Sequence, residues 1–136
     1  MDPARLSGFS VFAGLDPSEL EAIAAVASEA EAEPGHVLAT EGDFAHAMYA
    51  IEEGTADVAL AGAVVRTLGP GEVFGEIAIL SSGRRTATVT ATTSMRLITL
   101  FKRDVWTLEQ RSPAVADRLR ALIAERRDPA ATRGTD

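Results

Sequence analysis

Residues 71–91 read Gly71-Glu72-Val73-Phe74-Gly75-Glu76-Ile77-Ala78-Ile79-Leu80-Ser81-Ser82-Gly83-Arg84-Arg85-Thr86-Ala87-Thr88-Val89-Thr90-Ala91. The pattern changes three times within this span. Gly75 allows close backbone approach after a short apolar run, and Glu76 to Leu80 suit one or two helical turns. Ser81-Ser82-Gly83 then breaks the chain. From the arginine pair onward, Ala87, Val89 and Ala91 alternate with Thr86, Thr88 and Thr90, as in a half-buried strand. By parity Arg85 shares the apolar face of that strand, and Arg84 points the other way.

Outward from this segment, residues 37–101 are short apolar runs separated by turn residues: Glu41-Gly42-Asp43, Glu53-Gly54, Ala61-Gly62 and Gly69-Pro70-Gly71. Ala56, Val58 and Leu60 alternate with polar or small neighbours, and residues 97–101 close the series. Many short strands at near-regular spacing predict an antiparallel roll, barrel or sandwich. Helical signals flank it. Asp16-Pro17-Ser18-Glu19 places an N-cap, a first-position proline and a capping-box glutamate in register, predicting a helix over 17–27. Residues 103–110 suggest a second helix. Ser112-Pro113 starts another, with Val115, Leu119, Leu122 and Ile123 on one stripe.

The chain has 136 residues and no cysteine, which excludes disulfides, thiolate metal sites and cysteine nucleophiles. No stretch approaches the length of a membrane span, and the N-terminus has no signal-peptide core; a cytoplasmic protein without direct membrane insertion is expected. Net charge is −7. Residues 1–101 hold five basic side chains (Arg5, Arg66, Arg84, Arg85, Arg96) against fourteen acidic ones, and residues 102–136 hold eight against six. An acidic body lacks the row of cations that nucleic acid requires. It also isolates the pair Arg84-Arg85.

An arginine turned into an apolar interior needs an anion, because burying an unpaired charge is costly. One candidate is a protein carboxylate, with Glu76 nearest in sequence. Another is a ligand phosphate, held by the guanidinium and by amides at the start of a short helix. A third reading displays both arginines on a loop tip.

The stretch from Phe74 to Val89 resembles the phosphate-binding cassette of cyclic-nucleotide-binding domains: Gly75-Glu76, a small apolar run, a loop, then Arg85-Thr86-Ala87-Thr88-Val89. The Arg-Arg-Thr-Ala form is most similar to the cyclic-nucleotide-gated and hyperpolarisation-activated channels, and the resemblance covers roughly residues 6–127. It implies an α+β, mainly β fold: an eight-stranded antiparallel β-roll of the double-stranded jelly-roll type. An N-terminal helix, a short phosphate-binding helix and two C-terminal helices accompany the roll, as one domain over 1–128 with a disordered tail at 129–136. The resemblance assigns Arg85 to the exocyclic phosphate oxygens, Thr86 to the phosphate through hydroxyl and amide, and Glu76 to the ribose 2′-hydroxyl. Gly75, Ile77 and Ala78 would supply close approach and helix-start amides, and Phe74, Ala56, Val58 and Ala87 would surround sugar and base. The last helix would form a lid, with Arg120 as its basic position and Leu119, Ile123 or Ala124 as apolar caps. The same stripe also suits packing on the roll or on another copy.

The implied function is a non-catalytic sensor of cAMP, or of cGMP through Thr86, that moves its last helix to regulate an attached effector such as a channel. The alternative is a ligand-free β-roll used for protein interaction or homodimerisation. His36 and His46 lie on different elements, so no metal is expected. No nucleophile set, Walker loop or dinucleotide fingerprint is present, so no enzyme activity is expected. A transcription factor of the catabolite-activator type is not expected either, because the chain ends after the lid helix with little positive charge.

Overall fold

The computed structural model describes residues 1–81 and 83–126. Asp16 starts α1 (Pro17–Val26): its carboxylate accepts the Glu19 N–H at 2.9 Å, and Glu19 accepts the Asp16 N–H at 3.0 Å. This reciprocal pair satisfies two amides that a helix start leaves without partners. Ahead of α1, two 3-10 turns, Pro3–Gly8 and Ser10–Phe12, bury Leu6, Val11 and Phe12. Periodicity did not announce them, since turns this short have no repeat to read.

Eight strands follow: β1 (Ser28–Ala32), β2 (Val37–Ala39), β3 (Ala47–Glu53), β4 (Ala56–Leu60), β5 (Ala63–Leu68), β6 (Val73–Phe74), β7 (Thr88–Ala91) and β8 (Met95–Phe101). They form two four-stranded sheets in the orders β1-β8-β3-β6 and β2-β7-β4-β5, antiparallel at every pairing. This is the expected mainly β, α+β roll. Its inner core joins Ile51, Ala56, Val58, Leu68, Phe74, Ala87, Val89 and Leu97.

The other face of the β3–β8 sheet carries Met48, Ala50, Ile98 and Leu100 into a second core with the helices. There it meets α1, the single turn α2 (Ile77–Leu80), α3 (Lys102–Arg111) and α4 (Pro113–Arg126). The Asp104 carboxylate accepts the Phe101 N–H at 2.8 Å and so starts α3. Ala116, Leu119 and Ile123 of α4 are fully buried in this helical core. Arg118 ties α4 to the N-terminal elements, meeting Glu19 at 3.1 Å and donating to the Gly14 carbonyl.

One boundary differs from expectation. β7 begins at Thr88 and not at the arginine pair. Residues 83–85 pair instead with the β2–β3 connection: Ala45 N–H donates to the Gly83 carbonyl at 3.1 Å, Arg85 N–H to Asp43 at 2.7 Å, and Gly42 N–H to Arg85 at 2.9 Å. The chain changes partners before it joins β2 and β4, so the alternation continues across a break in the ladder.

Among the described residues no helix is long and apolar enough to cross a membrane. The tail expected at 129–136 lies outside the described residues.

Candidate ligand-binding site

The backbone clamp on residues 83–85 fixes where each arginine points. Arg84 turns outward: it donates to the Gly42 carbonyl at 2.8 Å and lies over the Phe44 ring, 4.2 Å from its centroid. Arg85 turns inward and is 6% exposed, alongside Ala87 at 0% and Val89 at 1%. The split follows the parity of the sequence.

Inside, Arg85 donates from Nη2 to the Ala47 carbonyl at 2.7 Å. Its guanidinium lies against Gly75, whose φ is +82°. A Cβ built on Gly75 would stand 2.5 Å from Arg85 Nη1 and 2.7 Å from the Ala47 oxygen. Glycine is required here twice, for its left-handed backbone and for the space the guanidinium occupies. Glu76, directly after it, is 5% exposed. Among the described residues, Glu76 and Arg85 are the buried charged side chains, and they flank the one-turn helix and its loop. Charges removed from water in this way cost several kcal/mol each unless strongly compensated, a pattern that marks functional sites.

The α2 turn is closed by bonds from Ala78 N–H to the Gly75 carbonyl at 3.1 Å and from Ile79 N–H to Glu76 at 3.0 Å. The Ala78 amide, expected to face a ligand, therefore serves the turn itself, while those of Glu76 and Ile77 precede its first bond. Phe74, Ala56 and Val58 are at 1%, 0% and 0% exposure in the roll interior, with Val58 opposite Val89 across the β4–β7 pairing. Thr86 is exposed beside the buried arginine.

Arg120 is placed elsewhere. It meets Glu109 of α3 at 3.0 Å and Asp117 at 3.7 Å. The proposed apolar caps Leu119 and Ile123 are at 0% exposure in the helical core, and Ala124 faces solvent. In this conformation the last helix is docked on its own core and does not cover the roll interior.

Three contributors escaped the sequence reading. Tyr49 stacks on Phe74 at 5.0 Å between centroids, with 24° between planes. The Ala47 carbonyl holds the guanidinium, and the Gly42–Asp43 backbone clamps residue 85. A backbone carbonyl leaves no side-chain signature. Tyr49 was hidden because β3 is apolar on both faces, so no alternation of two singles it out. Among the described residues no group of three or more His, Cys, Asp or Glu side chains could hold a metal.

Fold and site together define a β-roll in which a buried arginine lies against a left-handed glycine and a single helical turn. The chain belongs to the cyclic nucleotide-binding domain family, whose model matches residues 29–112. It is 33% identical over 126 residues to the cyclic AMP receptor protein of Thermus thermophilus, covering 89% of this chain and 58% of that one. It is 34% identical over 122 residues to a cyclic nucleotide-gated potassium channel of Mesorhizobium japonicum, covering 90% and 34%. Among solved structures, the N-terminal domain of a transcriptional regulator from Streptomyces coelicolor superposes with a TM-score of 0.77 at 30% identity, over 93% and 92% of the two chains. The chain thus spans between about a third and three-fifths of the two curated relatives.

Proposed function

We propose that this domain binds cAMP as a regulatory ligand and reports its occupancy through α4 to an effector. The cyclic phosphate sits on the Arg85 guanidinium and the Glu76–Ile77 amides, the Glu76 carboxylate takes the ribose 2′-hydroxyl, and Phe74 with Ala56 and Val58 borders sugar and base. The observation that carries this reading is the burial of Arg85 at 6% exposure against a glycine that admits no side chain. A guanidinium held there offers a planar, charge-assisted fork to an incoming phosphate. The similarity to the cyclic AMP receptor protein of Thermus thermophilus favours cAMP over cGMP. Thr86, exposed next to the site, carries a hydroxyl of the kind that can meet a guanine amino group, so cGMP is the competing ligand.

Removing one partner of a buried charged hydrogen bond costs ~2–5 kcal/mol. Arg85→Ala therefore lowers cAMP affinity by roughly 30- to 4,000-fold at ~1.4 kcal/mol per decade. Titration calorimetry of parent and variant with cAMP and cGMP tests this directly. Equal affinities in parent and variant, or no heat with either nucleotide in the parent, would reduce the protein to a β-roll scaffold.

A further inference from the structure

Among the described residues, five large apolar side chains stand exposed: Val37, Phe44, Val64, Val65 and Trp106. Three of them gather on one face. A groove of about 500 Å³ is lined by His46, Phe101, Lys102, Arg103 and Trp106. A second groove, along β2, shares His46 and Phe101 with it, adds Val37 and Phe44, and reaches Tyr49 and Arg85. Trp106 is 63% exposed on α3 although its neighbours Val105 and Leu108 are buried. The groove beside Trp106 is mostly apolar, and an exposed apolar patch rimmed by polar residues marks an interaction site.

The cations of this face behave differently from those elsewhere. Arg5, Arg66, Arg96, Arg118 and Arg120 each meet a carboxylate. Arg84 and Arg103 lie instead over phenyl rings, Phe44 at 4.2 Å and Phe101 at 4.7 Å. Arg84 also donates one Nη to the Gly42 carbonyl, and both guanidinium groups lie at the surface over their rings. The result is an apolar floor with a cationic rim on a chain whose net charge is −7.

We propose that this face docks a short acidic segment of a partner protein, which seats one bulky apolar side chain beside Trp106 and pairs its carboxylates with Arg103 and Arg84. Charge complementarity selects that occupant. A nucleic acid or an anionic bilayer extends well beyond the patch and meets the acidic remainder of the surface. A short segment confined to the groove does not. The Trp106 end of this face lies outside the Arg85 site, whereas its β2 end opens onto Arg85.

The test selects a phage-displayed library of random short peptides against the intact chain and then measures binding of the synthesised winners. Trp106 is the sole tryptophan, so its emission reports occupancy of the groove. Enriched peptides carry Asp and Glu around one aromatic or aliphatic residue, shift the Trp106 emission to the blue and weaken with salt. Arg103→Glu lowers their affinity by at least about tenfold. Trp106→Ala abolishes the preference for the apolar residue and keeps the parent's far-UV circular dichroism spectrum and urea midpoint, which shows that the variant is folded.

The proposal is overturned if no peptides or only uncharged ones are enriched, or if Arg103→Glu binds them as the parent does. It is also overturned if phosphatidylglycerol vesicles or a single-stranded oligonucleotide produce the emission shift in place of acidic peptides. A concentration-dependent shift of the chain alone, matched by dimerisation in sedimentation, gives the face to a second copy and overturns it too.

Discussion

Replacing Gly75 by alanine tests the site at its tightest point. Two costs arise and can be separated. Residue 75 has φ +82°, and a non-glycine residue in left-handed backbone costs roughly 1–2 kcal/mol. The new Cβ would also lie 2.5 Å from Arg85 Nη1 and 2.7 Å from the Ala47 oxygen, so the guanidinium must withdraw from the carbonyl it holds at 2.7 Å. Losing a hydrogen bond to a buried charged group adds about 1.5–3 kcal/mol. Gly75→Ala should therefore cost ~2.5–5 kcal/mol in total.

Gly71 supplies the control, because its φ is +90° yet a Cβ there meets nothing within 4 Å. Gly71→Ala carries the backbone cost alone, ~1–2 kcal/mol. Urea unfolding followed by circular dichroism measures both, with unchanged m-values confirming a common unfolding reaction. Calorimetry with cAMP then shows whether only the Gly75 variant loses affinity. Equal destabilisation by the two substitutions, or retention of cAMP affinity by Gly75→Ala, refutes the claim that this glycine exists to seat Arg85.

Two shorter predictions follow from the same geometry. Arg84→Ala leaves cAMP affinity within about threefold, less than 1 kcal/mol, because its guanidinium lies outside over Phe44; a loss matching that of Arg85→Ala in calorimetry contradicts the inward–outward split. The Arg5 guanidinium, hydrogen-bonded to Glu29, holds that carboxyl below the usual carboxylate range. A carboxyl depressed in the folded state contributes stability above its unfolded value, and that contribution disappears as pH falls through its folded one. Arg5→Gln should therefore flatten the loss of stability on acidification below about pH 4.5, measured as urea midpoints across pH. An unchanged slope would show that the pair does no folding work.

The sequence was legible where local chemistry determines structure. The Asp16–Glu19 capping box, the Pro113 helix start and the alternation of β4 each carry their signal in side chains. Arg85 was legible for the same reason, since alternation places it with Ala87 and Val89. What the sequence left unread depends on partners that the local side-chain pattern does not announce. β7 starts late because residues 83–85 find their backbone partners forty residues upstream, at Gly42 to Ala45. The Ala78 amide turns back to Gly75 because a one-turn helix has no earlier carbonyl to use. Arg120 goes to Glu109 because α3 and α4 pack side by side, a contact that periodicity along α4 alone cannot locate.

The placement of α2 suggests how the proposed ligand could be felt at α4. Phe74 belongs to the roll core, while Ala78 and Ile79 belong to the helical core with Leu119 and Ile123. Only Gly75, Glu76 and Ile77 separate the two. A phosphate drawn onto Arg85 must meet these residues, and close-packed interiors do not deform smoothly. A shift of the Gly75–Ile77 backbone toward the ligand therefore either strains the Gly75–Arg85 contact or moves Ala78 and Ile79 against α4. The first is blocked by a guanidinium already bonded to Ala47. The second works against the Arg118–Glu19 pair, half-exposed on the arginine side and so only weakly held. Under the proposed function, binding energy that moved α4 would have to overcome the buried Ala116, Leu119 and Ile123 contacts as well as this pair.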